Sequence, residues 1–260
     1  MVELLSPVGD FECLQAAVQN GADSVYLGGS SFNARASASN FDKDGLKQAI
    51  RYAKLRNVKI NFALNTLIKD DEFDDAVSLA KYVYTLGTDA IIVQDLGLAK
   101  YIIDNMPGMD VHGSTQMTIH NLQGVLELEK LGFKRVVLSR ELNLSEIEYI
   151  CNNSNVEIEV FAHGALCMSY SGQCLLSSTI GARSGNRGRC AQPCRLPYEL
   201  IDENSNLLDK GYLLSPRDLC SLQYIPDLIK AGVSCFKIEG RMKTPEYVAV
   251  VTSIYRKYID

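Results

Sequence analysis

This 260-residue sequence predicts an α/β fold, a (β/α)8 TIM-like barrel, on three observations. Short β-branched runs alternate with longer stretches of helical period along the whole chain. There are eight such runs, the number that closes a parallel barrel. Turns of the kind NGAD (20–23), LGTD (86–89) and AGVS (231–234) recur just before a strand. A doubly wound open sheet is the alternative reading of the same alternation.

The first strand is read at Glu3–Pro7, followed by the amphipathic stretch DFECLQAAVQNG, and the second at Ser24–Leu27. DGLKQAIRYAKLRN supplies the next helix and Lys59–Leu64 the third strand; DEFDDAVSLAKYVYTLG then leads to Ala90–Val93. The fifth strand, Asp110–Gly113, is followed by TIHNLQGVLELEKLG and the sixth, Arg135–Leu138. Glu157–Ala162 and Ser234–Glu239 complete the set, and TPEYVAVVTSIYRKYID is the eighth helix. Several helical stretches close on a glycine at the position just past the last turn, where a left-handed backbone is wanted. The whole of 1–260 therefore reads as one barrel domain, with 164–217 as a long insertion after the seventh strand.

Composition agrees with a packed domain: 47% of the residues are hydrophobic and 22% charged, enough apolar surface for a substantial core. Met1 to Asp10 show no basic, then apolar, leader pattern, and no stretch approaches the roughly 20 apolar residues of a membrane span. A soluble, cytoplasmic protein with no membrane partner is expected. In that compartment thiols stay reduced, so the eight cysteines read as metal ligands or core residues and not as a disulfide framework. A net charge of −5 argues against indiscriminate nucleic-acid binding, though not against a local basic site.

Side chains at the C-terminal ends of barrel strands face the mouth where such barrels do their chemistry. At those ends stand Ser6, Gly28 with Gly29, Asn65, Gln94 with Asp95, His112 with Ser114 and Gln116, Arg140, His163, and Glu239 with Arg241. Asn65 and Asp95 also suit helix caps, and either histidine also suits a plain hydrogen-bonded structural role. As a set they make His112, Gln116, His163 and Glu239 the candidate catalytic groups, and Arg35, Asn65, Arg140 and Arg241 candidate substrate-binding groups.

The insertion carries Cys167, Cys174, Cys190 and Cys194 in the spacing C-x6-C-x15-C-x3-C. Four thiolates suit tetrahedral zinc or an iron-sulfur cluster. Structural zinc modules favour paired C-x2–4-C knuckles, and only Cys190 and Cys194 form such a pair, so the irregular spacing favours a cluster. Cys13, Cys151 and Cys220 fall in helical patterns and Cys235 in a strand, where a small apolar core residue is expected. From His163 to Pro197 there are four arginines, Arg183, Arg187, Arg189 and Arg195, and no acids. That stretch is +4, leaving −9 for the remainder of a chain whose net charge is −5. Such segregation fits phosphates held near the cysteines, with Arg183 and Arg187 as the contacts farthest in sequence from a ligand. Offsetting the negative charge of a thiolate-ligated cluster is the other explanation.

EVFAHGALCMSYSGQCLLSS, with YLGGSSFNARASASNF, HGSTQMTIHN, NRGRCAQPCRLPY and FKIEGRMK in the same order, resembles the collagenase-like peptidase family of unassigned catalytic type. The resemblance covers the whole chain. It implies one of two activities. Some members hydroxylate transfer RNA uridine, a ribosomal RNA cytidine or ubiquinone precursors without oxygen, the RNA enzymes using prephenate as co-substrate. Others carry the name of peptidases. It also implies a four-cysteine iron-sulfur cluster, 4Fe-4S in type, on Cys167, Cys174, Cys190 and Cys194. NRGRCAQPCRLPY after HGALCMSYSGQC is most similar to the ribosomal RNA 5-hydroxycytidine synthase branch. Longer members continue into a C-terminal domain, which this chain is expected to lack. The implied partners are RNA, ribosomal or transfer, and a small dicarboxylate anchored by Arg35 and Arg241, with His112, Gln116 and His163 as neutral donors.

The peptidase alternative has little motif support, since neither HExxH nor GxSxG occurs. A thiol peptidase needs a cysteine beside a histidine; His163 precedes Cys167 by four residues, but the metal set claims the same thiol. A metal-bound water is the remaining hydrolytic route. The last alternative is a zinc-stabilised insertion on a barrel that only binds.

Overall fold

Asp10, Asp42, Asp95, Asn121 and Asn143 each accept a hydrogen bond from the backbone N–H three residues on. These caps satisfy N–H groups that have no partner inside a helix. They start α1 (Phe11–Gln19), α2 (Lys43–Lys54), α4 (Leu96–Asn105), α5 (Leu122–Leu131) and α6 (Leu144–Asn152). The remaining helix of this series, α3 (Phe73–Thr85), continues instead from a 3-10 turn over Asp70–Glu72. These elements come from a computed structural model, which describes residues 2–35 and 38–260.

Between the helices run β1 (Glu3–Pro7), β2 (Ser24–Gly28), β3 (Lys59–Leu64), β4 (Ala90–Val93), β5 (Asp110–Gly113), β6 (Arg135–Val137) and β7 (Glu157–Gly164). Neighbours pair in parallel in chain order from β1 to β7. The insertion follows, with a short helix α7 (Leu176–Gly181), an antiparallel hairpin of β8 (Tyr198–Ile201) and β9 (Leu207–Gly211), and a two-residue strand β10 (Leu219–Cys220). After α8 (Ile225–Lys230), β11 (Cys235–Ile238) pairs with both β7 and β1 and closes the ring, and α9 (Pro245–Ile259) packs on α1 and β1. The eight predicted strands are the eight staves of the barrel, with no end displaced by more than two residues. The open sheet is ruled out by the β6–β7, β7–β11 and β11–β1 pairings.

Strand parity sorts the side chains. One set faces the helices and forms the main core, with Leu4, Leu27, Ile60, Phe62, Ile91 and Phe236 under one per cent exposed against Leu14, Ala49, Ala80 and Ile102. Ser6 belongs to this set: its hydroxyl is 2.9 Å from that of Thr252 on α9, away from the expected mouth. The alternate positions face the lumen. A small apolar group of Leu5, Tyr26, Ile92 and Cys235 lies there, together with a network of buried charge. Lys237 Nζ lies 2.8 Å from Glu159, a carboxylate with no exposed surface. Arg135 reaches Glu159 at 3.3 Å, Glu3 at 2.8 Å and Glu157 at 2.6 Å.

His112 sits in this lumen layer, where burial first, then the Arg135 cation, lower it to about 3; its Nδ1 has no partner among the described residues. Burial works against the charge of Glu3, but the Arg135 guanidinium outweighs it and holds Glu3 at about 2. Both shifts give the same sign. Below pH 6.5 the unfolded chain protonates His112 while the folded one does not, and below about 4.5 it also protonates Glu3, so acid favours unfolding in two stages. Thermal unfolding followed against pH should show the midpoint falling gently from pH 6.5 and steeply from 4.5 towards 2. His112→Asn should flatten the first limb only; a first limb unchanged in that variant would assign it to another group.

Candidate functional site

At the C-terminal end of the barrel the strands surround a small recess, open on one side. One half is charged. Glu239, at the end of β11, takes Arg35 from the β2–α2 loop at 3.3 Å and Arg140 from the β6–α6 loop at 3.1 Å. Burial opposes the Glu239 charge, and Arg35, Arg140 and Arg241 together overcome it, so the carboxyl stays below its ordinary range. Arg140 stacks on Phe161 with its guanidinium carbon 3.9 Å from the ring centre. Arg241 differs from its neighbours: Nη2 donates to Asn33 at 3.2 Å, and Nη1 has no partner among the described residues. That nitrogen fits only because residue 28 is glycine, since a Cβ there would stand 2.5 Å from it. Burial pulls Arg241 down to about 10, a sign of how poorly this charge is solvated. An anion reaching Nη1 would supply the missing acceptor.

The other half presents amides and hydroxyls. Asn65 accepts from the Ala34 N–H at 3.0 Å and donates to Ser114 at 3.1 Å, so it bolts loops together and caps no helix. Asp95 does cap α4, through the Leu98 N–H. Gln94 donates to the Gln116 carbonyl at 3.2 Å, and the Gln116 side chain faces the recess. His112 lies beneath the recess floor, and Lys237, which the strand pattern did not single out, forms part of its wall. His163 is turned towards α9: its ring is 5.5 Å from that of Tyr255 and 6.0 Å from that of Tyr247, with Nδ1 3.4 Å from the Tyr255 hydroxyl.

The insertion folds back over this mouth. Thr118 donates to the Ser171 carbonyl at 2.7 Å, Gln173 donates to the Thr118 hydroxyl at 2.7 Å, and Ser171 donates twice to Glu141. Gly172, at φ +79°, presses against the Gln116 carbonyl so closely that no side chain fits between them. Arg187, expected to face phosphate, instead clamps Glu72 and the Leu67 carbonyl on the β3–α3 side. Arg195 donates to Ser215, the Pro216 carbonyl and the Leu166 carbonyl. Arg183 donates to the Arg189 carbonyl, and both residues remain exposed.

Two contacts link the cysteine-bearing segments in pairs. Arg195 ties the neighbour of Cys194 to the neighbour of Cys167, and a Cβ on Gly185 would touch both the Cys174 carbonyl and Cys190 Cβ. Burial raises the Cys194 thiol, and Cys167, Cys190 and Cys174 push it the same way. Cys190 also acts on Arg35, whose charge is favoured chiefly by Glu239, so this one thiol lies within electrostatic reach of the charged half of the recess. All four thiols are free. Among the described residues no three His, Cys, Asp or Glu side chains are drawn into a closed metal-holding group. In kind, four free thiols, with the Cys194 thiolate disfavoured by burial and by the other three, fit a thiolate-ligated cationic group. Of the others, Cys13 and Cys235 are buried and Cys151 is half-buried, as expected for core positions. Cys220 is exposed in β10, which adds antiparallel to the edge of β7 opposite His163, so it is neither helical nor core.

The architecture is thus a (β/α)8 barrel whose mouth is capped by a four-cysteine insertion. Residues 9–260 match the model of peptidase family U32, and the chain belongs to that family. It is 42% identical over 260 residues to the "23S rRNA 5-hydroxycytidine C2501 synthase" of Escherichia coli (strain K12), covering 100% of this chain and 39% of that protein. It is 37% identical to "tRNA hydroxylation protein P1" of Bacillus subtilis (strain 168), covering 99% and 63%. It is 38% identical to "Collagenase" of Porphyromonas gingivalis (strain ATCC BAA-308 / W83), covering 99% and 65%. The chain therefore spans about two fifths to two thirds of the length of these curated relatives. The solved U32 peptidase Mk0906 superposes with a TM-score of 0.63 at 12% identity over 92% of this chain and 93% of that one, a likeness of fold. No helix among the described residues is long and apolar enough to cross a membrane.

Proposed function

We propose that this chain is the barrel of an RNA base hydroxylase, with a cytidine of ribosomal RNA or a uridine of transfer RNA as target. The observation that carries the reading is a recess walled by Arg35, Arg140, Arg241 and Glu239, against whose rim residue Gln116 the insertion with its four free thiols packs through Gly172. Relatives named for RNA hydroxylation match this chain over its whole length. Cys167, Cys174, Cys190 and Cys194 would hold an iron-sulfur cluster, which when bound supplies one-electron chemistry and a Lewis-acidic iron in place of oxygen activation. The protein's own part is binding. Arg241, with an unpartnered Nη1, and Arg140, with an unpartnered Nε, receive the carboxylates of a small dicarboxylate such as prephenate, while Glu239 keeps Arg35 and Arg140 from swinging into solvent. Exposed Arg183 and Arg189 meet the phosphates of an unpaired segment, whose target base is extruded, because a stacked base cannot reach a recessed site.

Anaerobic purification followed by iron, sulfide and zinc counting, then incubation with prephenate and an RNA fragment, tests this. Iron with acid-labile sulfide and a product heavier by one oxygen are expected; one zinc per chain without sulfide would favour a zinc-stabilised binding barrel. Calorimetric titration with prephenate should show Arg241→Lys losing about tenfold in affinity, since lysine offers no planar fork to a carboxylate. Arg35→Ala should lose less, its guanidinium being already engaged by Glu239. A peptidase reading rests on names such as that of the Porphyromonas protein. His163 bonds to Tyr255, and no described hydrogen bond joins it to a thiol.

A further inference from the structure

We propose that Gln116 is the residue that reads the edge of the unpaired base, an assignment that rests on the RNA reading above. Its backbone is held three ways. The N–H donates to the Ser114 hydroxyl at 3.2 Å, the carbonyl accepts from Gln94 at 3.2 Å, and Gly172 of the insertion packs flat against that carbonyl. Its side-chain amide, by contrast, makes no hydrogen bond with any described residue. A rigid pivot therefore presents a free donor and a free acceptor side by side.

The position of this amide narrows what it meets. Gln116 lines both the recess and an adjoining open cleft of Leu67, Leu96 and Met117, where Leu67 and Leu96 are about half exposed. Apolar surface beside a donor–acceptor pair is the environment that recognises a flat, unstacked base, with its face on the apolar groups and its edge on the amide. A carboxamide pairs in two bonds with a base that offers one donor and one acceptor in adjacent positions. Cytosine presents an exocyclic amine next to a ring nitrogen, and uracil a carbonyl next to an imide N–H. Gln116 can turn its amide to suit either. The arginines on the opposite wall carry charge and no such paired pattern, so base identity is read from this side.

Fluorescence anisotropy at low salt, with short labelled oligoribonucleotides carrying cytidine, uridine or an abasic residue at the centre, tests the assignment on the full chain. Wild-type protein should bind the cytidine and uridine strands about tenfold more tightly than the abasic one, the size of one bidentate contact. Gln116→Ala should erase that difference and leave abasic binding, bound iron and the unfolding temperature unchanged, because the side chain supports nothing else. Gln116→Glu should create a preference for cytidine over uridine that the wild type lacks, since a carboxylate accepts from the cytosine amine but meets an imide N–H flanked by two carbonyls in uracil. If wild type does not distinguish base from abasic, or Gln116→Ala still does, the assignment falls while the RNA reading stands. If no oligonucleotide binds in a salt-dependent way, both fall together.

Discussion

Glu159→Ala is expected to destabilise the protein by about 3 to 5 kcal/mol, the usual cost of removing one partner of a buried charge pair. Glu159 has no exposed surface, and its loss leaves Lys237 and one arm of Arg135 without their carboxylate. Denaturant unfolding measures the change. Glu159→Leu combined with Lys237→Met removes both charges of the Glu159–Lys237 pair and should recover most of the loss, because Arg135 keeps Glu3 and Glu157. A single variant within about 1 kcal/mol of wild type would mean that water reaches the lumen and solvates these groups.

The second large effect concerns iron. Serine in place of any one of Cys167, Cys174, Cys190 and Cys194 should strip most of the iron from anaerobically prepared protein, a hydroxyl being a far weaker ligand than a thiolate. Serine at Cys13, Cys151, Cys220 or Cys235 should leave iron content at the wild-type level. Loss of iron from one of these latter four would show that the eight cysteines have been divided wrongly. Retention of iron by a member of the first four would remove that residue from the ligand set.

Much of the barrel could be read from the chain because short, mostly apolar runs alternate with amphipathic helices, five of which open on an Asp or Asn cap. What faces which way was less legible. Ser6 was placed at the mouth, although in β1 Glu3 and Leu5 face the lumen, and period-two alternation turns residue 6 towards α9. The same alternation was the available sign of the lumen charges: Glu157 and Glu159 stand two apart in β7 and share a face, and Glu239, one residue past β11, follows Lys237 at the same spacing. Apolar neighbours such as Val160 and Phe236 masked that pattern. Cys220 was misplaced because a two-residue edge strand has no periodicity to read. Arg187 reads as a phosphate contact because its actual partner, Glu72, lies 115 positions away and leaves no local sign.

The lumen network also bears on how the chain reaches its fold. Glu3 comes from the first strand, Arg135 from the sixth, Glu159 from the seventh and Lys237 from the last, so although these staves are neighbours in the ring, no shorter stretch of the chain pairs all these charges. A half-barrel that stopped before β11 would bury Glu159 without Lys237 and leave Glu3 at an open edge. Such an intermediate is penalised electrostatically as well as by its unpaired strands. Docking of β11 between β7 and β1, which brings residue 235 against residue 3, joins the most distant parts of the chain and neutralises the interior in one event. Ring closure is therefore expected to be the slow step of folding, with a rate that depends on ionic strength more than that of a barrel with an apolar lumen, which stopped-flow refolding at several salt concentrations measures.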